Sequence, residues 1–290
     1  QGILPDEWKN GIIVPIYKKG DIKDMSNYRG IALINTFMKL LCKILAKRLQ
    51  DYIEINKVLR KEQIGFLRNE ECVGQVACLL ECSQRRKLDN LDTYLCFLDL
   101  KKAYDLVPHT LLINKLKKIG LNYKMLRFVE NMYKETFMKV RIGNNFTESF
   151  KYERGVRQGC PLSPMLFNIF INDLFENINK IYVKGIVGGI SGLMFADDTV
   201  IFGESINDMK EKLNIVENWM ENNNMEINVS KCGLMKINRN NEIIEEIKYK
   251  DQVIPYVEEY VYLGVNFNEK LDYDKMAIYR ISKGLKALKC

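Results

Sequence analysis

Two adjacent aspartates interrupt an otherwise apolar β pattern in LMFADDTVIF, residues 193–202. Burying one carboxylate without a partner is costly, and two side by side also repel each other. One remedy is a turn that exposes Asp197 and Asp198 to water. The other is a cation. The flanks carry no Lys or Arg, so a divalent metal ion suits the pair. This segment by itself leaves both remedies open.

A second acid narrows the choice. Residues 94–100, YLCFLDL, read as a buried strand, apolar nearly throughout, yet they contain Asp99. If the two apolar strands lie side by side, Asp99 converges with Asp197 and Asp198. Three carboxylates form a hard oxygen site suited to Mg²⁺, which keeps waters and takes substrate phosphates as further ligands. Two such ions, roughly 3.5–4 Å apart, would clamp the attacking and leaving oxygens of a phosphoryl transfer. The strand pairing is an assumption at this point.

Composition bounds the alternatives. The chain has 290 residues, 47% of them hydrophobic, which suffices for one large domain or two to three lobes sharing a core. Its net charge of +7 suits a polyanionic partner and equally an ordinary basic globular protein. Eight cysteines without a C-x-x-C pair, and a lone His109, speak against a zinc site and for a reducing compartment. No apolar stretch approaches the ~20 residues of a membrane helix, and no signal-like start is present. The chain opens at Gln1 and closes inside a helical pattern at Cys290, so both ends read as cuts through something longer.

The pattern along the chain is mixed α and β. Residues 12–16 read as a strand ending in a turn at Tyr17–Asp21. Residues 36–50 read as a helix with Phe37, Leu40, Leu41, Ile44, Leu45 and Leu49 inward and Lys39, Lys43 and Lys47 outward. Pro108 opens a helix that ends near Gly120, and Ser163-Pro164 opens a buried one carrying Leu166, Phe167, Ile169, Phe170, Leu174 and Phe175. Ser205 with Asp208 makes a capping box before a stripe of Ile206, Met209, Leu213, Val216 and Met220. Further strands are expected at about 225–229, 232–237 and 260–266. The loop before Ser163, RGVRQGCPL, lets the backbone at Gly155 and Gly159 approach a ligand closely, and Gln158 brings both donors and acceptors.

In order, the chain shows IIVPIYKKGD, NYRGIAL, QIGF, FLDLKKAYD, RQGCPLSPMLFN, FADD, MEINVSKC and YLGV. This run resembles the motifs of the reverse transcriptases of non-LTR (LINE-type) retrotransposons, over about residues 8–285. A lone FADD is weak; the ordered set is highly specific. The resemblance implies an α+β right-hand polymerase fold, an antiparallel palm sheet backed by helices. It divides the chain into fingers at 1–92, a first part of the palm at 93–107, a fingers insertion at 108–153, the rest of the palm at 154–266, and the start of a thumb at 267–290.

It also implies roles. Asp99, Asp197 and the backbone carbonyl of Leu100 match the metal-binding groups, with Asp198 as the adjacent acid and two Mg²⁺ ions, or Mn²⁺, as cofactors. Tyr104 matches the steric gate that excludes a ribose 2′-OH. Gln158 lies near incoming nucleotide and template. Lys19 and Arg29 match the basic residues that grip the triphosphate. Lys231 matches the lysine that protonates pyrophosphate, and Tyr262-Leu263-Gly264 resembles the primer grip. The implied partners are an RNA template, a DNA primer or target and dNTPs, without a membrane, and with further domains such as an endonuclease in a longer polyprotein. The implied setting is a retrotransposon ribonucleoprotein, nuclear and cytoplasmic.

The sequence departs from the pattern at three places. Glu70 and Glu71 stand where a basic stretch is expected after QIGF, and Gly30 where Pro is common. About one helix of thumb is present, so weak or no processive synthesis is expected from this piece alone. Two rivals remain: an RNA-dependent RNA polymerase, against which Tyr104 speaks, and a degenerate copy that only binds nucleic acid.

Overall fold

The computed structural model describes residues 4–237 and 245–288. The chain divides into two compact units, residues 1–59 with 102–171, and residues 60–101 with 172–290.

In the first unit, strands Gly11–Tyr17 and Tyr28–Ile34 form an antiparallel hairpin in the register Gly11↔Ile34 to Tyr17↔Tyr28. Strand Phe137–Ile142 joins the first of them in parallel. The loop between the hairpin strands is polar and bonded to itself. The Tyr17 hydroxyl donates to the Gly20 carbonyl at 2.6 Å, and Asp24 accepts from the Ser26 amide at 2.8 Å and hydroxyl at 2.7 Å. Those two bonds hold the Asp24 carboxyl below its usual range.

Helix Thr36–Ile55 is N-capped by the Asn35 side chain, which accepts from the amides of Phe37 and Met38. Its inward face differs from the one expected. The buried residues are Met38, Cys42, Leu49 and Ile53, whereas Phe37, Leu40 and Ile44 are exposed. Apolar residues occupy most of this helix's circumference, so periodicity does not single out one stripe. Packing decides it: the Cys42 thiol lies 3.9 Å from the Met132 sulfur, and Phe37 stacks on Trp8 instead. Lys39, Lys43 and Lys47 are exposed, as expected of a solvated face. Helix His109–Lys118 follows Pro108, which is its N-cap. Helix Ser163–Ile171 is buried along nearly its whole length, including Leu166, Phe167, Ile169 and Phe170.

The second unit is built on a four-stranded antiparallel sheet. Its order is Gly192–Phe195, Asp198–Gly203, Tyr94–Leu98, Gly233–Lys236. Tyr94–Leu98 is paired on both edges and every residue is buried, which explains its continuous apolar run. Helix Ile206–Asn222 buries Met209, Leu213, Val216 and Met220. Its Ser205 cap accepts from the Asp208 amide at 3.1 Å, while the Asp208 carboxylate takes the Glu204 amide and the buried Lys212 ammonium. Phe97 centres one side of the sheet, stacked on Tyr260 at 4.3 Å with Tyr262 and Phe267 around it.

Two of the expected strands take another form. At 225–229 there is a single bridge, Ile227 to Leu100, followed by a 3₁₀ turn at Val229–Lys231. At 260–266 the chain forms a hairpin, Glu259–Tyr262 with Val265–Asn268, turned by Leu263 and Gly264, both at positive φ. An apolar run hides a turn of this kind. Among the described residues no helix is long and apolar enough to cross a membrane, and Cys42, Cys72, Cys78, Cys82, Cys96, Cys160 and Cys232 carry free thiols. Cys290, where a helical pattern is expected to continue, lies outside the described residues.

Candidate active site

The pairing Phe195↔Asp198 closes a two-residue hairpin loop, Ala196–Asp197. Asp197 sits in the turn, and Asp198 is the first residue of the next strand; both are exposed. That strand pairs with Tyr94–Leu98 through Leu98↔Thr199, and Asp99 lies one residue beyond the pair. The assumed strand pairing is therefore present, although Asp99 stands at the end of its strand rather than inside it. The first remedy is present, since the turn leaves both acids exposed to water, and the charge of Asp99 acts on Asp198 as well. Although Asp198 keeps an exposed surface, desolvation pushes its carboxyl up to about 6, with the charges of Asp197 and then Asp99 adding to it.

Asp99 is held by its backbone. Its amide donates to the Cys232 sulfur at 3.5 Å, and its carbonyl accepts from the Asn228 amide at 2.8 Å. The next ladder bond runs from the Lys101 amide to the Glu226 carbonyl, so the Leu100 carbonyl faces away from that segment. Lys231 ends the 3₁₀ turn, and its ammonium lies 3.9 Å from the Asp99 carboxylate. The Tyr260 hydroxyl donates to the Lys231 carbonyl at 3.0 Å, tying this turn to the aromatic cluster.

Among the described residues, no three His, Cys, Asp or Glu side chains close a metal site by themselves. The donors that are present still suit a hard cation. Desolvation, and then the charges of Asp197 and Asp99, raise the Asp198 pKa, a cost that a cation would relieve, and Mg²⁺ ordinarily completes its shell with water and phosphate oxygens.

Of the expected primer-grip residues, Tyr262 is buried against Phe97, while Leu263 and Gly264 form the turn. Arg280 donates to the Gly264 carbonyl at 3.1 Å and so braces that turn from helix Tyr273–Ala287.

Lys19, Arg29, Tyr104 and Gln158 belong to the first unit. Arg29 is on the Tyr28–Ile34 strand opposite Ile16, and Lys19 is in the exposed hairpin loop. The Tyr104 ring stacks on Phe167 at 4.8 Å, and its carbonyl accepts from Val156 at 2.7 Å. Gln158 donates to the Asp105 carboxylate at 3.2 Å. Desolvation raises the Asp105 pKa although the residue keeps an exposed surface, while Gln158, Lys102, Lys18 and Arg29 pull it down. Asp105 thus lies within reach of the positive charges of Lys102, Lys18 and Arg29. Gly155 and Gly159 both pass close to other parts of the chain. An added Cβ would lie 2.9 Å from the Asp105 carbonyl at Gly155, and 2.9 Å from the Ala32 carbonyl at Gly159.

Residues 16–267 match the family described as Reverse transcriptase (RNA-dependent DNA polymerase). Similar relatives include the Pol polyprotein of the type-1 retrotransposable element R2 of Popillia japonica, 28% identical over 80% of this chain and 32% of that protein. The RNA-directed DNA polymerase from mobile element jockey of Drosophila melanogaster is 23% identical over 94% of this chain and 30% of its own length. The chain thus spans about a third of these relatives. Among solved structures, apo telomerase from Candida tropicalis is 12% identical and superposes with a TM-score of 0.62 over 91% of this chain and 47% of that one. Telomerase from Candida albicans, in complex with a TWJ fragment of telomeric RNA, gives a TM-score of 0.55 at 13% identity, over 93% of this chain and 47% of that one. These likenesses show the polymerase fold.

Proposed function

The chain belongs to the reverse transcriptase family, among the enzymes of non-LTR retrotransposons, and from that premise we propose that it is the catalytic core of an RNA-directed DNA polymerase. The observation that supports this best is the turn that sets Asp197 and Asp198 beside the end of the Asp99 strand, where desolvation, and then the charges of Asp197 and Asp99, raise the pKa of Asp198.

Asp99, Asp197 and the Leu100 carbonyl would hold divalent ions, with Asp198 beside them; such ions would activate the primer 3′-OH and neutralise the pyrophosphate. Lys231, held near Asp99 as a cation, would give its proton to the leaving pyrophosphate. In the first unit, Arg29, Lys18 and Lys102 surround Asp105 with positive charge and would bind the triphosphate, with Lys19 in the adjoining loop. Tyr104, kept flat against Phe167, would close the space that a ribose 2′-OH needs. Gln158 would contact the nucleotide and template, and Leu263-Gly264 the primer, with Tyr262 anchoring that hairpin in the core. The division into fingers, palm and thumb, the RNA template and DNA primer, and a nuclear and cytoplasmic ribonucleoprotein belong to the same proposal.

The test is primer extension on an RNA template with the longer polypeptide that contains this chain. Metal-dependent incorporation of dNTPs in preference to NTPs is expected, and Asp198→Asn should lower its rate by about 10²-fold or more. Preferential NTP incorporation would make the protein an RNA polymerase. No metal-dependent extension would leave a nucleic-acid-binding copy.

A further inference from the structure

The turn that carries Asp197 is gripped by a side chain from a distant part of the same unit. Gln63 belongs to the QIGF segment and is fully buried, at 0% exposure. Its Oε1 accepts the Ala196 amide at 3.1 Å, and its Nε2 donates to the Ala196 carbonyl at 3.2 Å. One side chain thus occupies both backbone groups of the residue before Asp197. The same Oε1 accepts the Gly65 amide at 2.9 Å, which fixes the Gln63 rotamer.

The surroundings are built around this contact. The Met194 amide donates to the Glu62 carbonyl at 2.7 Å, and the Ile64 amide to the Met194 carbonyl at 3.2 Å. Gln75, also buried, donates to the Met194 carbonyl at 3.1 Å. Gly65 passes so close that an added Cβ would lie 2.4 Å from the Ala196 nitrogen.

Ala196 has φ +58°, a left-handed conformation that an L side chain disfavours and that persists where its surroundings over-determine it. The ladder pair Phe195↔Asp198 already closes the hairpin. What the ladder does not set is the direction in which Asp197 leaves the turn, and that follows from the backbone of Ala196. An amide is the side chain that can do this. It offers a donor and an acceptor without charge, whereas Glu in this place would lose the donor and add another negative charge near three carboxylates.

We propose that Gln63 is a positioning residue for the carboxylate site, setting the Ala196–Asp197 backbone so that Asp197 points toward the ion it holds. The inference rests on the reading of Asp197 as a ligand for a divalent ion.

The test compares the whole wild-type chain with Gln63→Met and with Gln63→Met combined with Ala196→Gly, where glycine relieves the left-handed turn and restores folding. Three quantities are measured: the melting temperature, amide hydrogen exchange at Ala196, and Mn²⁺ affinity by magnetic resonance. In Gln63→Met the Ala196 amide should exchange at least about tenfold faster, and Mn²⁺ should bind about tenfold more weakly, as expected when an oriented supporting contact to a metal site is lost. The double variant should recover the melting temperature without recovering Mn²⁺ affinity. Wild-type Mn²⁺ affinity in Gln63→Met, or affinity that returns together with the melting temperature, would overturn the inference. If the wild type itself binds no Mn²⁺, the polymerase reading fails, and unchanged Ala196 exchange in Gln63→Met would separately refute the grip on the turn.

Discussion

Asp198 carries a measurable consequence at the scale of a single residue. Its folded pKa of about 6 lies above the ordinary carboxylate value of 3.8. The folded state therefore binds this proton more tightly than the unfolded state, so stability falls as pH rises between those values. Above the folded pKa the penalty is complete; below the unfolded one it vanishes. In buffer free of divalent ions, Asp198→Asn should melt about 1–2 °C above the wild type at pH 7, a small gain because water screens the half-open site. The difference should close below about pH 4. An equal difference at both pH values would mean that the charge is not its source. The three acids were legible in the sequence because each breaks an apolar run. Gln63 was not: a polar residue in a short motif gives no sign of which distant backbone it will bond. Asp105 was missed for a similar reason, since its charge partners Lys18, Arg29 and Lys102 come from separate segments.

Among the elements, two glycines of the second unit make opposite predictions. Gly65 faces the Ala196 backbone, which cannot give way without moving the Asp197 turn. Gly65→Ala should cost about 1–3 kcal/mol in urea unfolding, as overpacking against backbone does. Gly74 lies in helix Cys72–Leu88, and an added Cβ there would meet nothing within 4 Å. Gly74→Ala should stabilise by about 0.5–1 kcal/mol by helix propensity alone. A gain at both positions would show that the crowding at Gly65 is readily relaxed. The elements themselves were read well where burial is one-sided or complete, as in Tyr94–Leu98 and Ser163–Ile171. Reading failed in Thr36–Ile55, whose apolar residues surround the helix, and at Leu263-Gly264, where a tight turn hides inside a strand-like run.

For the whole molecule, charge is the property that a nucleic-acid partner would feel first. The chain carries a net +7, which is modest for a polyanion binder. If lysines and arginines neutralise even two or three phosphates of an RNA–DNA duplex, affinity should fall at least about tenfold between 50 and 200 mM salt. A fluorescence titration across that range measures it, and an affinity indifferent to salt would exclude the phosphate backbone as the main contact. The class of fold was legible from the order of the motifs. The bounds of the two units, at residues 59, 101 and 171, are set by packing, which the sequence pattern does not display.

The close approach at Gly65 also has a genetic meaning. Every amino acid other than glycine carries a Cβ, so no missense change in codon 65 preserves the space beside the Ala196 nitrogen. A change of codon 65 should therefore disturb the Asp197 turn even where Asp99, Asp197 and Asp198 are all still encoded.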